Sequence, residues 1–277
     1  MSELKKVAAI NDMSGSSRCS LTVAIPILSA FGMQCCALPT AILSNHTGYD
    51  KYFFEDYTDN MKKFAENWKY YDNKFDCIYS GFLGSAEQID IAENFFNTFK
   101  ESNTKIIVDP VMGDDGEMYS TYTKEMCDKM KRLIRYADVV TPNVTEASIL
   151  SGIKFKGDDI STDEARRMAD IICSYGTENV IITGIKRDGN AINYVYNKEN
   201  GEHEYMSPMV PVYYSGTGDV FASLICGFLA NDKPIHEGVE FATEFIRKSA
   251  KYSYEHGVTY LEGICFEKFL KEIVCYE

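Results

Sequence analysis

Short β-branched apolar runs alternate with longer amphipathic stretches along most of the chain. The short runs predict strands at Lys5–Ile10, Gln34–Leu38, Asp76–Ser80, Lys105–Val108, Asp138–Val140 and Val180–Thr183. The amphipathic stretches predict helices at Ser20–Phe31, Asp56–Tyr71, Glu87–Lys100, Thr123–Tyr136, Val144–Leu150, Asp163–Tyr175, about Asp219–Leu229, and Pro234–Tyr254. This alternation indicates an α/β protein with a mostly parallel sheet that helices cover on both faces.

One further pair of runs, Ala191–Tyr196 and Glu202–Met206, predicts a β-hairpin, because only the polar Asn197–Gly201 separates them. No Pro/Gly/Ser-rich linker, repeat or low-complexity tract interrupts the pattern. We therefore expect residues 1–277 to form a single domain.

In parallel sheets of this kind, ligands bind at the carboxyl ends of the strands. The loops after the predicted strands are therefore the places to search for function. Five of them are rich in Gly, Asp, Asn or Ser: Asn11–Arg18, Ser44–Tyr49, Gly81–Ser85, Asp109–Tyr119 and Ser215–Asp219.

The charge balance limits the classes of partner. Lys and Arg number 28 against 41 Asp and Glu, which gives a formal net charge of −13. Nucleic acids and anionic membranes would be repelled at long range, so we expect neither as a partner. A phosphorylated ligand would need a local device, such as backbone N–H groups, a metal ion or a few basic residues.

Localisation is indicated by two further features. No apolar run approaches the roughly 20 residues that cross a bilayer, and the Met1–Lys6 start lacks the apolar core of a signal peptide. Nine cysteines occur without a C-x-x-C pair, which is typical of free thiols in a reducing compartment. We expect a cytoplasmic protein.

The Ser215-Gly216-Thr217-Gly218-Asp219 segment is the strongest local motif. Glycines on both sides of a threonine let backbone N–H groups converge at a helix N-terminus, where they and the helix dipole favour an anion. Asp219 would face the same space, where it could accept a proton from an attacking hydroxyl. A simple helix-capping turn explains the segment about equally well. No Walker A sequence occurs, and Phe221 rules out G-x-G-x-x-G here.

The G-T-G-D turn resembles that of the ribokinase-like superfamily of small-molecule kinases. Other segments narrow the resemblance to its pyridoxal kinase branch and extend it over essentially the whole chain. These segments are Ser44–Tyr49 (SNHTGY), Ser80–Gln88 (SGFLGSAEQ), Asp109–Asp114 (DPVMGD) and Thr141–Glu146 (TPNVTE).

The resemblance implies a three-layer α/β/α fold and ATP-dependent phosphorylation of the 5′-hydroxymethyl group of pyridoxal, pyridoxamine or pyridoxine. Asp219 is implied as the general base, and Gly216, Thr217 and Gly218 as the anion hole and part of the ATP site. Phosphoryl transfer depends mainly on positioning and on stabilising charge on the transferred group, which this arrangement would supply.

The family also implies sites for ATP and cations. Further ATP-binding positions are Asp114, Tyr119, Asn143, Thr183 and Gly184. The expected Mg²⁺ site, with a monovalent cation site such as one for K⁺ beside it, involves Asp109, Thr141 and Glu146. Taken alone, these positions are typical of a surface loop, a strand exit or the first turn of a helix.

The vitamer pocket is implied at Asp12, Ser44, His46, Thr47 and Phe82. A flat heteroaromatic ring needs an apolar wall and a few polar groups. His46 is interpreted as part of the wall rather than as an acid or base. His203, His236 and His256 lack metal-ligand spacing, and no role is assigned to them.

Two positions depart from the branch pattern, and both fall in the expected pocket. Asp12 stands where many members have Ser, within a segment that resembles hydroxymethylpyrimidine kinases, and Leu43 replaces an aromatic residue. An acid at position 12 leads to the hypothesis that pyridoxamine is used appreciably beside pyridoxal. The alternatives are a hydroxymethylpyrimidine kinase or a catalytically silent vitamer-binding protein. A homodimer is expected from the family.

Overall fold

A nine-stranded sheet forms the centre of the protein in the computed structural model, which describes residues 4–276. The first residues of the Met1–Lys6 start therefore lie outside the described part. The strands of the main sheet are β1 (Lys6–Ser14), β2 (Gln34–Leu43), β3 (Phe54–Asp56), β4 (Cys77–Ser80), β5 (Lys105–Val108), β8 (Val139–Val140), β9 (Asn179–Arg187), β10 (Asn190–Asn197) and β11 (Gly201–Pro208). A separate two-stranded hairpin consists of β6 (Gly113–Asp114) and β7 (Glu117–Met118).

Eight α-helices flank the sheet within the described residues. They are α1 (Leu21–Ala30), α2 (Thr58–Tyr70), α3 (Ala86–Phe99), α4 (Lys124–Leu133), α5 (Val144–Ser151), α6 (Thr162–Cys173), α7 (Thr217–Ala230) and α8 (Ile235–Glu255). Short 3₁₀ turns follow from Tyr260 to Tyr276.

The strand order is β11-β10-β9-β8-β5-β4-β1-β2-β3. The six strands from β9 to β2 pair in parallel, whereas β3, β10 and β11 join antiparallel at the two edges. The predicted hairpin is confirmed, because Ala191 lies opposite Ser207 and Tyr196 opposite Glu202 in β10 and β11. The expected mostly parallel sheet is also confirmed.

Alternating side chains of the central strands pack into two separate cores. Val7 and Ala9 of β1 face a core that includes α1, α7 and α8, whereas Ala8 and Ile10 face a core that includes α2 to α6. Burial on both faces explains why these strands read as continuous apolar runs. The three-layer α/β/α arrangement of the ribokinase-like fold is thus confirmed.

The first two strands are longer than the sequence predicted. β1 continues to Ser14 through the expected Asn11–Arg18 loop, and after a bulge Met13 and Ser14 pair with Ile42 and Leu43. The polar side chains of this extension are buried and hydrogen-bonded, so hydrophobic periodicity could not identify it. The exposed strand β3 was likewise missed, and its Asp56 was wrongly assigned to α2.

The β6–β7 hairpin lies within the Asp109–Tyr119 segment, for which the sequence predicts a loop. A Cβ atom on Gly113 would lie 2.3 Å from the carbonyl oxygen of Glu117, so only glycine permits this close approach. Val111 precedes the hairpin with φ of 34°, a left-handed conformation that is strained for a β-branched residue.

All nine cysteines are free thiols, as expected. Within residues 4–276, no helix combines the length and apolar character needed to cross a bilayer.

Candidate active site

The G-T-G-D turn connects Ser215 to the start of α7 at the carboxyl edge of the parallel strands. Gly216 has φ of 76°, and a Cβ atom there would lie 1.9 Å from the carbonyl oxygen of Arg18. Glycine is therefore required for two reasons: the backbone has a positive φ, and there is no space for a Cβ atom. The turn presents the unpaired N–H groups of the first turn of α7, which suits an anion.

Asp219 lies in the first turn of α7, half-buried beside the end of β1. Its Oδ1 accepts hydrogen bonds from Asn11 Nδ2 at 3.1 Å and from the Tyr79 hydroxyl at 3.4 Å. Desolvation raises the pKa of Asp219 to about 6, and the Asn11 and Tyr79 hydrogen bonds oppose that rise. A carboxyl group with this pKa is ionised at neutral pH and basic enough to accept a proton.

Asp12 is buried next to this group, with 7% of its surface exposed. Its two carboxyl oxygens accept hydrogen bonds from Ser14 Oγ and Ser20 Oγ. Burial raises the pKa of Asp12, and the hydrogen bonds from the Ser20 and Ser14 hydroxyls oppose the rise. The structure thus places Asp12 near Asp219 but engages both of its oxygens in local hydrogen bonds.

The His46 ring is fixed by backbone groups. Nε2 lies 2.8 Å from the Leu261 carbonyl oxygen and Nδ1 accepts from Gly48 N at 3.1 Å, which defines a neutral ring protonated on Nε2. Such a ring fits the expected wall of a pocket rather than an acid or base.

The other expected pocket residues differ in burial. Phe82 is half-buried, and its backbone N donates to Asn11 Oδ1 at 2.9 Å. Ser44 and Thr47 are exposed, and among the described residues no hydrogen bond joins them to Asp12 or Asp219. The Ser44 hydroxyl instead pairs with Asn45 Oδ1 and with Phe53 N. Asn11 therefore links Asp12, Phe82 and Asp219, whereas Ser44 meets the segment after β1 through its backbone, with Ser16 N donating to the Ser44 carbonyl oxygen at 2.9 Å.

Asp109, which directly follows β5, lies close to Gly218. A Cβ atom on Gly218 would be 3.8 Å from Asp109 Oδ2, and Thr141 Oγ1 donates to Asp109 Oδ1 at 3.2 Å. The pKa of Asp109 is well above its ordinary value, first because of burial and then because Glu146 and Asp219 are near. Its Oδ2 has no hydrogen-bond donor among the described residues.

Glu146 and Asn143 form a capping box at the start of α5. Glu146 N donates to Asn143 Oδ1, and Asn143 N donates to Glu146 Oε2 at 2.8 Å. Glu146 Oε1 accepts from Met112 N at 2.9 Å. Burial raises the pKa of Glu146 to about 7, against the opposing effect of these backbone donors.

The donor set fits a hard cation near Asp109. Glu146 and Asp219 each lie near Asp109, and no Lys, Arg or His forms a salt bridge with any of these three carboxylates within residues 4–276. Asp109 Oδ2 is free to bind a cation, whereas both oxygens of Glu146 already accept backbone hydrogen bonds. No three His, Cys, Asp or Glu side chains in the described part converge into a closed metal site. The arrangement therefore suits an ion that keeps several waters or phosphate oxygens, as Mg²⁺ does.

The β6–β7 hairpin, with Tyr119 just after it, lies next to Glu146, and we call this segment the flap (residues 113–119). Asn143 Nδ2 donates to the Gly113 carbonyl oxygen at 2.9 Å, and Gly116 N donates to Thr145 Oγ1 at 2.8 Å. Asp114 Oδ2 accepts from the Tyr213 hydroxyl at 2.7 Å, which connects the flap to the segment before the G-T-G-D turn.

The remaining expected ATP positions border this region. Tyr119 is 41% exposed at the end of the flap, and its backbone N donates to the Met112 carbonyl oxygen. Thr183 forms an isolated β-bridge with Asn143, and the exposed Gly184 follows with φ of 74°. The structure thus brings the expected ATP positions to one end of the site.

Four residues that organise the site have no role predicted from the sequence: Asn11, Ser20, Tyr79 and Tyr213. Asn11 and Ser20 lie in or beside a segment already identified as unusual, so their position was a usable signal. Tyr79 lies in the apolar run of β4, where a tyrosine is expected to pack in the core rather than contact a site.

These elements define a class: an α/β kinase of the ribokinase-like superfamily, with a glycine-rich turn at a helix N-terminus, a carboxylate directly after it and an acidic strand edge nearby. The family model described as phosphomethylpyrimidine kinase matches residues 25–262. The chain belongs to this family, within the pyridoxal kinase group of the superfamily.

Similar proteins agree in fold over nearly the whole chain. A Bacteroides thetaiotaomicron protein, provisionally named a phosphomethylpyrimidine kinase, is 39% identical and has a TM-score of 0.95, covering 98% of this chain and 94% of that chain. A second crystal form of it, with pyridoxal, has a TM-score of 0.93. The pyridoxal kinase of Actinobacillus pleuropneumoniae is 27% identical over 257 residues, 88% of this chain and 87% of its own. The Lactobacillus plantarum pyridoxal kinase structure, 24% identical with a TM-score of 0.90, covers 99% of this chain and 98% of that chain and supports the fold.

Proposed function

We propose that this chain transfers the γ-phosphoryl group of ATP to the 5′-hydroxymethyl group of pyridoxal, pyridoxamine or pyridoxine, acting as a single domain. The observation that carries the proposal is the placement of Asp219, which lies in the first turn of α7 directly after the Gly216–Gly218 turn. The relatives named pyridoxal kinase, and the Bacteroides protein crystallised with pyridoxal, support a B6 vitamer as acceptor.

The reaction needs a base, a stabilised phosphoryl group and the exclusion of water. Asp219 accepts the proton of the hydroxymethyl group as its oxygen bonds to the γ-phosphorus, and the bond to the leaving ADP breaks. The N–H groups of Gly216, Thr217 and Gly218 stabilise negative charge on the transferred group. Because the pKa of Asp219 is about 6, the base is mostly ionised near neutral pH.

Mg²⁺ bound with ATP would supply positive charge that offsets the charge of the phosphates. Asp109 would hold this ion, with Thr141 orienting the Asp109 carboxylate, while Glu146 fixes the Asn143 backbone beside it. The same three residues, Asp109, Thr141 and Glu146, would also border a monovalent cation such as K⁺. Asp114, Tyr119, Thr183 and Gly184 contact the nucleotide, and the flap limits access of water.

The vitamer ring lies against His46 and Phe82, with Ser44 and Thr47 at the open side of the pocket. Asp12 contributes negative charge rather than a free acceptor, because Ser14 and Ser20 occupy its oxygens. A protonated amine would still be favoured over an aldehyde by that charge. If Asp12→Ser leaves the ratio of pyridoxamine to pyridoxal kcat/KM unchanged, this part of the proposal is wrong.

A second candidate acceptor is hydroxymethylpyrimidine, favoured by the family description and by the Asn11-Asp12 opening. A third possibility is a silent vitamer-binding protein, against which the complete set of Asp219, Asp109 and Glu146 argues. We further propose a homodimer, which size-exclusion chromatography with light scattering would test.

One experiment separates these candidates: ATP consumption with the three vitamers and hydroxymethylpyrimidine, at matched ATP and Mg²⁺. We expect vitamer-dependent turnover that exceeds turnover with hydroxymethylpyrimidine. Asp219→Asn should lower kcat by about 10²–10⁴-fold while nucleotide binding persists. Asp163→Asn, a first-turn acid of α6 far along the chain, is the matched control. Preferred use of hydroxymethylpyrimidine, or no acceptor-dependent turnover, would overturn the assignment.

A further inference from the structure

Asn11 is the most fully engaged polar side chain near Asp219, and neither the family motifs nor the proposed mechanism gives it a role. It is completely buried in β1, which lies between β4 and β2 in the sheet. Its amide oxygen accepts hydrogen bonds from Phe82 N at 2.9 Å and from Asp12 N at 3.0 Å.

These two donors determine which way the amide points. Backbone N–H groups can only donate, so the atom they meet must be the Asn11 oxygen and the other end must be the NH₂ group. Asn11 Nδ2 then faces Asp219 Oδ1 at 3.1 Å, and it also meets the Tyr79 hydroxyl at 3.4 Å. Tyr79 in turn donates to the same Asp219 oxygen.

The neighbouring backbone fixes the position of this amide. A Cβ atom on Gly81 would lie 2.4 Å from Asn11 Nδ2, so the glycine leaves room for the amide and little more. Because the Asn11 side chain is enclosed and bonded at both ends, it can hold Asp219 Oδ1 in one orientation. The second carboxyl oxygen, Oδ2, accepts no side-chain hydrogen bond among the described residues, and a backbone hydrogen bond from Ser20 also stabilises the ionised Asp219 carboxylate. An acceptor hydroxyl would donate its proton to Oδ2.

We propose that Asn11 is a positioning residue for phosphoryl transfer: it orients Asp219 and couples that carboxylate to the backbone of the ring wall at Phe82. The inference rests on the proposed role of Asp219 as base. It goes beyond that role because one amide joins the base, the acceptor pocket and the buried Asp12 segment. Through Asn11, binding of the acceptor ring at Phe82 would affect the orientation of Asp219, which accepts the proton of the acceptor hydroxyl.

Two substitutions separate positioning from scaffolding. Asn11→Asp keeps the shape and the oxygen that accepts from Phe82 and Asp12, but replaces the donor facing Asp219 with a second oxygen. Asn11→Ala removes both functions. We expect kcat to fall about 10- to 100-fold in each variant, with the KM for ATP changed less than threefold. The control is Asn193→Ala on β10, which removes a comparable hydrogen bond of 2.9 Å to Thr243 of α8 and should leave kcat unchanged.

A double-mutant cycle tests whether Asn11 acts through Asp219. In an Asp219→Ala background, Asn11→Ala should lower the residual kcat less than twofold, because the group it orients is absent. Wild-type protein that phosphorylates no vitamer would overturn the proposed function instead, and the same cycle would then be run with hydroxymethylpyrimidine as acceptor.

The inference is overturned if Asn11→Asp keeps kcat within threefold of wild type. It is also overturned if the effects of Asn11→Ala and Asp219→Ala multiply, or if KM for ATP rises while kcat is unchanged. Circular dichroism and thermal unfolding of each variant confirm that the comparison is made on folded protein.

Discussion

The carboxylates near Gly218 are Asp219 on one hand and the pair Asp109 and Glu146 on the other, and they differ in the hydrogen-bond donors that surround them. Burial raises the pKa of Asp219 to about 6, and hydrogen bonds from the Ser20 backbone, Asn11 and Tyr79 oppose that rise. Asp109 accepts one hydrogen bond, from Thr141, and burial together with the nearby Glu146 raises its pKa well above the ordinary value. The first arrangement suits proton transfer, whereas the second would favour a bound cation.

This difference also explains how a protein of net charge −13 can use ATP. Backbone N–H groups at the start of α7 would attract phosphate, and the acidic edge would favour a metal ion that brings phosphate oxygens with it. A basic patch is unnecessary in such an arrangement.

The largest expected effect is that of Asp109→Asn. We expect kcat/KM at limiting Mg²⁺ to fall about 10²-fold or more, because the free carboxyl oxygen that would hold the ion is lost. The ligand-free variant should also unfold at a higher temperature than wild type at pH 8. Folding raises the pKa of Asp109, so the folded state binds more protons, and wild-type stability decreases as pH rises above the unfolded value of 3.8.

Differential scanning calorimetry with and without Mg²⁺ checks this prediction. Wild type should gain stability from Mg²⁺, and Asp109→Asn should gain less. An equal Mg²⁺ response in both proteins would show that Asp109 does not hold the ion.

Gly216→Ala should have the next largest effect, and Gly189→Ala provides a matched control. Both glycines have φ near 75°, so each substitution carries a conformational cost of about 1–2 kcal/mol. Only the Gly216 substitution also meets the Arg18 carbonyl oxygen, whereas nothing lies within 4 Å of the position at Gly189. We expect kcat to fall about 10²-fold in Gly216→Ala alone, because the anion hole is displaced. Equal losses in the two variants would contradict the assignment of the turn.

The pH profile of kcat/KM should show a limb near pH 6. Asp219 must be ionised to accept a proton, and its folded pKa is raised to about 6, so activity should decrease as pH falls through that value. The loss should reach about tenfold per pH unit below the limb. Steady-state kinetics from pH 5 to 8 at saturating Mg²⁺ measures it. A limb that stays at pH 4 would mean that desolvation does not act on Asp219.

The smallest effect is expected for Tyr213→Phe, which removes the 2.7 Å hydrogen bond to Asp114. The flap would lose one connection to the G-T-G-D segment, and we expect KM for ATP to rise about two- to fivefold with kcat nearly unchanged. Tyr254→Phe, on an exposed part of α8, is the control. A fall in kcat without a change in KM would argue against a role in holding the nucleotide.

The central strands and most helices were predictable because burial on both faces leaves a clear apolar signal. Lys105–Val108 matches β5 in both bounds, and the Thr123 start of the predicted helix is the N-cap of α4. The end of β1 was not predictable, because three of the four residues that continue it, Asn11, Asp12 and Ser14, are polar. Their extended conformation depends on pairing with Ile42 and Leu43, about thirty positions away.

The residues of the candidate site likewise divide into those that local motifs identify and those that depend on contacts between distant parts of the chain. Short motifs identified Asp219, the glycines of the turn, and the Asn143–Glu146 segment, which the structure forms as a capping box. Motifs did not identify Asn11, Tyr79 or Tyr213, because their partners lie 208, 140 and 99 positions away in the sequence. Ser44 and Thr47 fell within a matching motif, yet the structure leaves both exposed.

By itself, the sequence determined the fold class, the anion-binding turn and the set of acidic residues, because each depends on local pattern or on backbone constraints within a few positions. Only the tertiary structure decided how those acids differ. Whether a carboxylate becomes a base or a cation ligand depends on its desolvation and on donors supplied by other strands and helices. Asp219 received such donors and Asp109 Oδ2 did not, because β1 and β4 end beside α7 whereas β5 ends beside the acidic start of α5.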